Sequence, residues 1–297
     1  MCIMVDKSTR VLVQGITGAA GSFHARKMIQ YGTQVVAGVS PGHGGEKLER
    51  VPIFDTVERA VSATGANASV VFVPPPFATD ALLEAAGAEL PLVICISDGI
   101  GASDLAKAKS VFSSTSTRLL GPNCHGVISP GGRCKIGVMP GHIHRPGRIG
   151  IVSRCSALTD QAVSQLTRLG LGQSTVVGIG TAPITGTTFI DVLKMFDADS
   201  ETDAVLMIGG PSGRAEEEAA EFVAHGYAKP VAGFIAPPPM ARLMSLLPAR
   251  WLDSGEALGA RGKIDAMKAA GIVMARSLSE LGIALEQARR LSRPGPH

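Results

Sequence analysis

The chain has 297 residues, of which 45% are hydrophobic and 18% charged, so it can bury a large core, and disorder is excluded as its main state. Basic residues number 28 against 25 acidic, a net charge of +3, and no Lys/Arg tract concentrates it. With aromatics at only 4%, neither an electrostatic footprint for nucleic acid nor a base-stacking surface is present.

The elements alternate along the chain. A β-branched run at 10–15 ends in glycine and leads into an amphipathic segment at 21–31. A strand follows at 33–39, a helix at 56–64, a strand at 68–73, a helix at 78–87 and a strand at 91–96. Near-continuous apolar runs alternating with helical periods signal buried parallel strands. This first α/β unit closes after 118–120, giving a domain over 1–122. The stretch 121–148 holds four prolines and seven glycines and is expected to form turns and short hairpins, with 123–148 as a connecting segment. The cycle then restarts at 149–152, with strands at 174–179, 204–209, 230–235 and 272–275 and helices at 157–169, 188–196, 214–226 and 278–291. A second domain therefore spans 149–297.

No basic leader precedes a long apolar stretch and no apolar run approaches the ~18 residues of a membrane span, so a cytoplasmic chain is expected. Five cysteines, at 2, 95, 124, 134 and 155, make an odd set without a CxxC pair, which argues against a disulfide scaffold or a zinc knuckle. No metal site is expected.

The loop Gly15-Ile16-Thr17-Gly18-Ala19-Ala20-Gly21 joins the first strand to a helix. Glycines there permit a tight turn and let helix N-terminal amides face a phosphate. Its spacing is GxxGxxG, and the second strand ends in Val39-Ser40-Pro41 with no carboxylate for a ribose. A nucleotide-like ligand other than NAD is indicated.

These residues carry a family likeness. VLVQGITGAAGSFH, GVSPGHGG, GPNCHGVISPG, CKIGVMPGHIHRPGRIGIVSR and AEEEAA together resemble the α subunit of succinyl-CoA synthetase, over about residues 1–235 and again at 269–287. The resemblance implies a CoA-binding Rossmann-like domain followed by a flavodoxin-like domain. It also implies a β-subunit partner of ATP-grasp fold, in a heterodimer or heterotetramer. That partner supplies the site for the nucleoside triphosphate and Mg, and the substrate is a small carboxylic acid. On this chain, Thr17, Gly18, Ala19 and Ala20 would line the CoA site with Ile96, Ser97 and Asp98. His43 occupies the position of a CoA-binding lysine. Asn123 stands beside the thiol, and Cys155, Ser156 and Asp160 occupy the loop that receives the phosphoryl group, with Asp160 in place of a substrate-side tyrosine.

In that family a histidine carries the phosphoryl group between nucleotide and carboxylate. Here the corresponding region, 236–251, has none, and no histidine occurs between His225 and His297. The glutamate that orients the family histidine is replaced by Gly210. His125 stands where the family has proline, in a loop expected to be open to solvent, and is the candidate substitute base or phosphate acceptor. Cys155, beside Arg154, is a candidate acyl acceptor. His142 and His144 look structural, and Glu216, Glu217 and Glu218 look like a solvated first helical turn favoured by the dipole. Two readings follow: the CoA-binding half of a nucleoside-diphosphate-forming acid–CoA ligase, or a relative without the phosphohistidine that binds CoA or acyl-CoA as a regulatory subunit. A relay-free acyl or carbamoyl transferase is a variant of the second.

Overall fold

The apolar runs assemble into two seven-stranded sheets in a computed structural model that describes residues 3–182, 184–236 and 255–292, the side chains of 255–258 excepted. The first sheet takes β1 (Arg10–Gln14), β2 (Gln34–Val39), β3 (Lys47–Leu48), β4 (Val51–Phe54), β5 (Ala68–Val71), β6 (Leu92–Cys95) and β7 (Arg118–Leu120). Its order is β3-β4-β2-β1-β5-β6-β7, with only the short β3 antiparallel. The six parallel strands, counted along the chain, run 3-2-1-4-5-6, the dinucleotide-fold order whose switch point lies between β1 and β5. Helices α1 (Ala19–Tyr31), α2 (Val57–Thr64), α3 (Pro75–Gly87) and α4 (Ala102–Ser113) cover the faces. All four residues of β5 and of β6 are buried, as strands covered on both sides must be. The polar residues among them are paired: Ser69 Oγ donates to Gln14 Oε1 at 2.7 Å, and Gln14 Nε2 donates to the Ala81 carbonyl at 2.8 Å.

The second sheet takes β8 (Gly126–Ser129), β9 (Cys134–Gly137), β10 (Pro146–Ser153), β11 (Gln173–Gly178), β12 (Ala204–Gly209), β13 (Val231–Ile235) and β14 (Val273–Met274). Its order is β14-β13-β12-β10-β11-β8-β9. The parallel strands β10 to β14 read 2-1-3-4-5, the flavodoxin order, with a switch point between β10 and β12. Helices α5 (Ser156–Arg168), α6 (Phe189–Ala198), α7 (Ala215–Ala224), α8 (Gly255–Ala269) and α9 (Leu281–Leu291) flank it.

Three features depart from the sequence reading. Helix α4 was not expected, because it buries only Leu105, Ala108 and Phe112 and its remaining residues are mostly small or polar. Helix α8, with glycines at 255, 259 and 262, gives a weak helical signal for the same reason. The glycine-rich stretch after 121 forms a β8–β9 hairpin, and β8 pairs antiparallel with β11, so it is an edge of the second sheet.

The two sheets share one core. A single cluster of buried side chains runs from Val13 and Ile94 through Val127 and Ile136 to Val152, Val177 and Phe189. At the seam, Thr33 Oγ1 at the end of α1 donates to the Lys135 carbonyl of β9 at 2.8 Å and accepts from the Lys135 amide at 2.9 Å.

Candidate functional site

The chain leaves β1 through Gly15, whose φ of +79° no β-branched residue adopts readily. The Gly18 amide closes the turn on the Gly15 carbonyl at 3.1 Å. A Cβ at Gly21 would lie 2.1 Å from that same carbonyl oxygen, so the start of α1 can approach the turn only without a side chain. Gly18 caps α1 with no side-chain hydrogen bond, leaving first-turn amides for an outside acceptor.

That turn forms one wall of a cavity of about 1030 Å3 at the β1/β5 switch point. Thr17, Gly18, Ala19 and Ala20 all line it, opposite Phe72, Val73 and the 62%-exposed Phe77. Thr17 Oγ1 and Ser40 Oγ lie 2.7 Å apart across its mouth. Asp55, at the end of β4, accepts the Gly42 and Gly44 amides at 2.8 and 3.0 Å and so fixes the loop that follows β2. His43, within that loop, is not among the lining residues; its Nδ1 lies 3.0 Å from Glu46 Oε1 on the surface. Ile96, Ser97 and Asp98 are not among the lining residues, but Ser97 Oγ donates to the carbonyl of the lining residue Val73 at 2.5 Å.

From Ser97 a chain of contacts crosses to the second switch point. The Asn123 amide donates to the Ser97 carbonyl at 3.1 Å, and Asn123 Nδ2 donates to Thr181 Oγ1 at 2.9 Å. Arg154, just past β10, donates from Nε to the Gly180 carbonyl at 3.4 Å, and its Nη1 lies 3.5 Å from Glu216 Oε1. Glu216 is wholly buried, and its other oxygen pairs with the ammonium of Lys263, itself 1% exposed. Of the three acidic residues that open α7, Glu218 is exposed and Glu217 partly so, but Glu216 is not solvated as the sequence suggested: it accepts the Gly210 amide at 2.9 Å and anchors the β12 end. Lys263→Met should cost about 3–5 kcal/mol, the usual penalty for leaving a buried charge without its partner. Urea unfolding would measure it, and a loss below about 1 kcal/mol would show the pair to be dispensable.

Cys155 is the N-cap of α5, with its amide donating to Ser153 Oγ at 3.0 Å, and Ser156 opens the helix without a side-chain cap. Asp160, one turn on, faces a different cleft of about 570 Å3 with His142 and Arg168, and burial raises its carboxyl above the ordinary range. A Cβ at Gly210 would meet nothing within 4 Å, so the space where a side chain could stand beside this switch point is open. Of the histidine-free stretch 236–251, residues 237–251 lie outside the described residues.

His125 is 3% exposed, not open to solvent. The reason is long-range: its ring packs on Gly178 of β11, where an added Cβ would fall 2.5 Å from it. Burial, with His144 nearby, pushes its pKa down to about 4. It lines none of the cavities described above. Burial likewise holds Cys124 well above an ordinary thiol and Cys95 at about 12, so neither is a ready thiolate.

Comparison with known proteins agrees with this geometry. The CoA binding domain family matches residues 6–99, and the CoA-ligase family matches residues 152–236. The succinate–CoA ligase [ADP-forming] alpha subunits of Staphylococcus epidermidis and Staphylococcus aureus are each 50% identical over 293 residues, covering 98% of this chain and 96% of theirs. Among solved structures, ATP citrate lyase of Methanothrix soehngenii, in complex with citrate and coenzyme A, superposes with a TM-score of 0.82 at 19% identity over 97% of this chain. The dinucleotide-forming acetyl-coenzyme A synthetase 1 of Ca. Korarchaeum cryptofilum gives 0.75 at 19% identity over 93%. This chain spans 51% and 59% of those two chains, which share its fold.

Proposed function

The chain belongs to the family of succinate–CoA ligase alpha subunits, and from that premise we propose that it is the CoA-binding subunit of a nucleoside-diphosphate-forming acid–CoA ligase. Its partner is a beta subunit of ATP-grasp fold, in a heterodimer or heterotetramer, and its substrate is a small carboxylic acid. The observation that carries the reading is the glycine turn at 15–21, with no side-chain cap on the helix it opens, lining a cavity at the switch point of a dinucleotide-type sheet. At about 1030 Å3 it stands at the upper end of the ~300–1,000 Å3 usual for small-molecule sites, as a long ligand needs.

In this proposal Thr17, Gly18, Ala19 and Ala20 receive the phosphates of CoA. Ser97, Asn123 and Thr181 form the bridge by which the thiol end meets the second sheet. CoA supplies the thiol that displaces an activated carboxylate. Arg154 and the amides opening α5 stabilise negative charge there. By the family resemblance, Mg and the nucleoside triphosphate are assigned to the partner. No helix among the described residues is long and apolar enough to cross a membrane.

A test of the site uses calorimetric CoA titration. Gly21→Ala should weaken binding at least tenfold, about 1.4 kcal/mol, because its Cβ strikes a backbone carbonyl. Gly18→Ala, whose Cβ would sit 3.3 Å from the same oxygen, should do less. Equal, unchanged affinities with the fold intact would remove the loop from the site.

The missing histidine favours a second reading, a CoA-binding subunit without phosphoryl relay. Mixing the chain with its beta partner, nucleoside triphosphate, carboxylic acid and CoA separates the two. Thioester formation supports the ligase; CoA binding without thioester supports the second reading.

A further inference from the structure

A second cleft, of about 550 Å3, opens on the seam between the domains, where α1 meets the segment after β9. Its floor is Lys135, which is 3% exposed. A lysine so deeply buried is almost always ion-paired. Among the described residues the Lys135 ammonium has neither a carboxylate nor a hydrogen-bond acceptor. Burial, and then the like charge of Lys27, lowers its pKa to about 8. It therefore remains mainly protonated at neutral pH. Beside it His24 keeps a buried Nδ1 that also has no partner, and no Asp or Glu lines the cleft. The walls are Phe23, which is 54% exposed, with Tyr31, Val138, Met139 and Pro140.

We propose that this cleft is a binding site for a small organic carboxylate with a flat apolar body, held by Lys135 and Lys27 at its head and by Phe23 and Tyr31 along its sides. A carboxylate supplies what the floor lacks: a counter-ion for the ammonium at the tip of a largely buried side chain, and a partner for the buried His24 Nδ1. The apolar walls then favour an aromatic or branched body over a bare inorganic ion. The site is separate from the CoA cavity, whose lining shares no residue with it. One ring lies between them: His24 stacks on Phe72 of the cavity wall with centroids 5.4 Å apart and planes 4° from parallel.

The test is fluorine NMR of the full chain with 4-fluorobenzoate as probe and 4-fluorobenzyl alcohol as its uncharged control. Saturable binding of the acid, little binding of the alcohol and no displacement by saturating CoA are expected. Lys135→Met should weaken the acid at least tenfold. Lys27→Glu changes an exposed position, keeps the floor intact and gives Lys135 an internal counter-ion; it too should lower affinity at least tenfold while leaving CoA affinity unchanged. The proposal is overturned if the acid does not saturate, if the alcohol binds as well, if CoA displaces the probe, or if Lys27→Glu binds it as the parent does.

Discussion

Incubated with its beta partner and nucleoside triphosphate labelled at the γ-phosphate, this chain should take up no acid-labile phosphate. A phosphoryl relay needs a nitrogen nucleophile that reaches both nucleotide and carboxylate, and a group that holds it in register. The chain has no histidine between His225 and His297. At the β12 end, where an orienting carboxylate would stand, Gly210 offers only an amide, and that amide is already bonded to Glu216. His125, the candidate substitute, is 3% exposed and lines none of the cavities described here. Any thioester formed by the complex then arises by transfer of the phosphoryl group from nucleotide directly to the carboxylate, with CoA displacing phosphate. Autoradiography of detergent-quenched samples kept at alkaline pH checks this, with a brief acid treatment as the control that identifies acid-labile label. Stoichiometric label on this chain, lost in His125→Ala, would restore a relay through that residue; label retained in the variant would place the nucleophile elsewhere and end the inference of a lost relay.

Mild acid should destabilise the fold far more than the modest net charge suggests. Burial holds both His125 and His144 at a pKa of about 4, against about 6.5 in the unfolded chain. Above pH 6.5 both states are neutral and nothing is lost. Between pH 6.5 and 4 the unfolded chain binds protons that the folded chain refuses, so stability falls as pH falls. Each tenfold difference in proton affinity between the two states is worth ~1.4 kcal/mol. By pH 4 the cost is therefore about 3 kcal/mol for each imidazole, a large part of the ~5–15 kcal/mol that holds a domain together. Urea midpoints at pH 7.5, 5.5 and 4.5 would show the decline. The double variant His125→Gln/His144→Gln should flatten it. A slope unchanged in that variant would assign acid sensitivity to other groups.

The strands were legible because parallel strands covered on both faces must be apolar without interruption, as in β5, β6 and β12, where every residue is buried. The glycine turn was legible for a similar reason, since backbone crowding at Gly15 and Gly21 leaves few other residues possible. What stayed hidden depends on contacts between distant positions. The burial of His125 is set by Gly178 across the sheet, and nothing within its own loop announces it. Glu216 is singled out from Glu217 and Glu218 by its complete burial against Lys263, 47 residues away, which its own helix does not announce. Lys135 reads as one of the chain's many basic residues until the packing of α1 on β9 encloses it. His43 shows the opposite limit: a position assigned by resemblance does not reveal that its imidazole lies outside the cavity lining, beside Glu46.

The apolar cluster that runs from Val13 to Phe189 joins the two sheets, beside one further cluster confined to each. Cutting the chain near residue 122 would uncover Val13, Ile94 and Leu120 on one fragment and Val127, Ile136 and Val177 on the other. Each fragment keeps one cluster of its own but loses its partner across the joint one, so each is expected to aggregate or remain molten when expressed alone. The intact chain should melt in one calorimetric transition whose van't Hoff and calorimetric enthalpies agree. Two resolved peaks would mean that the sheets carry independent cores.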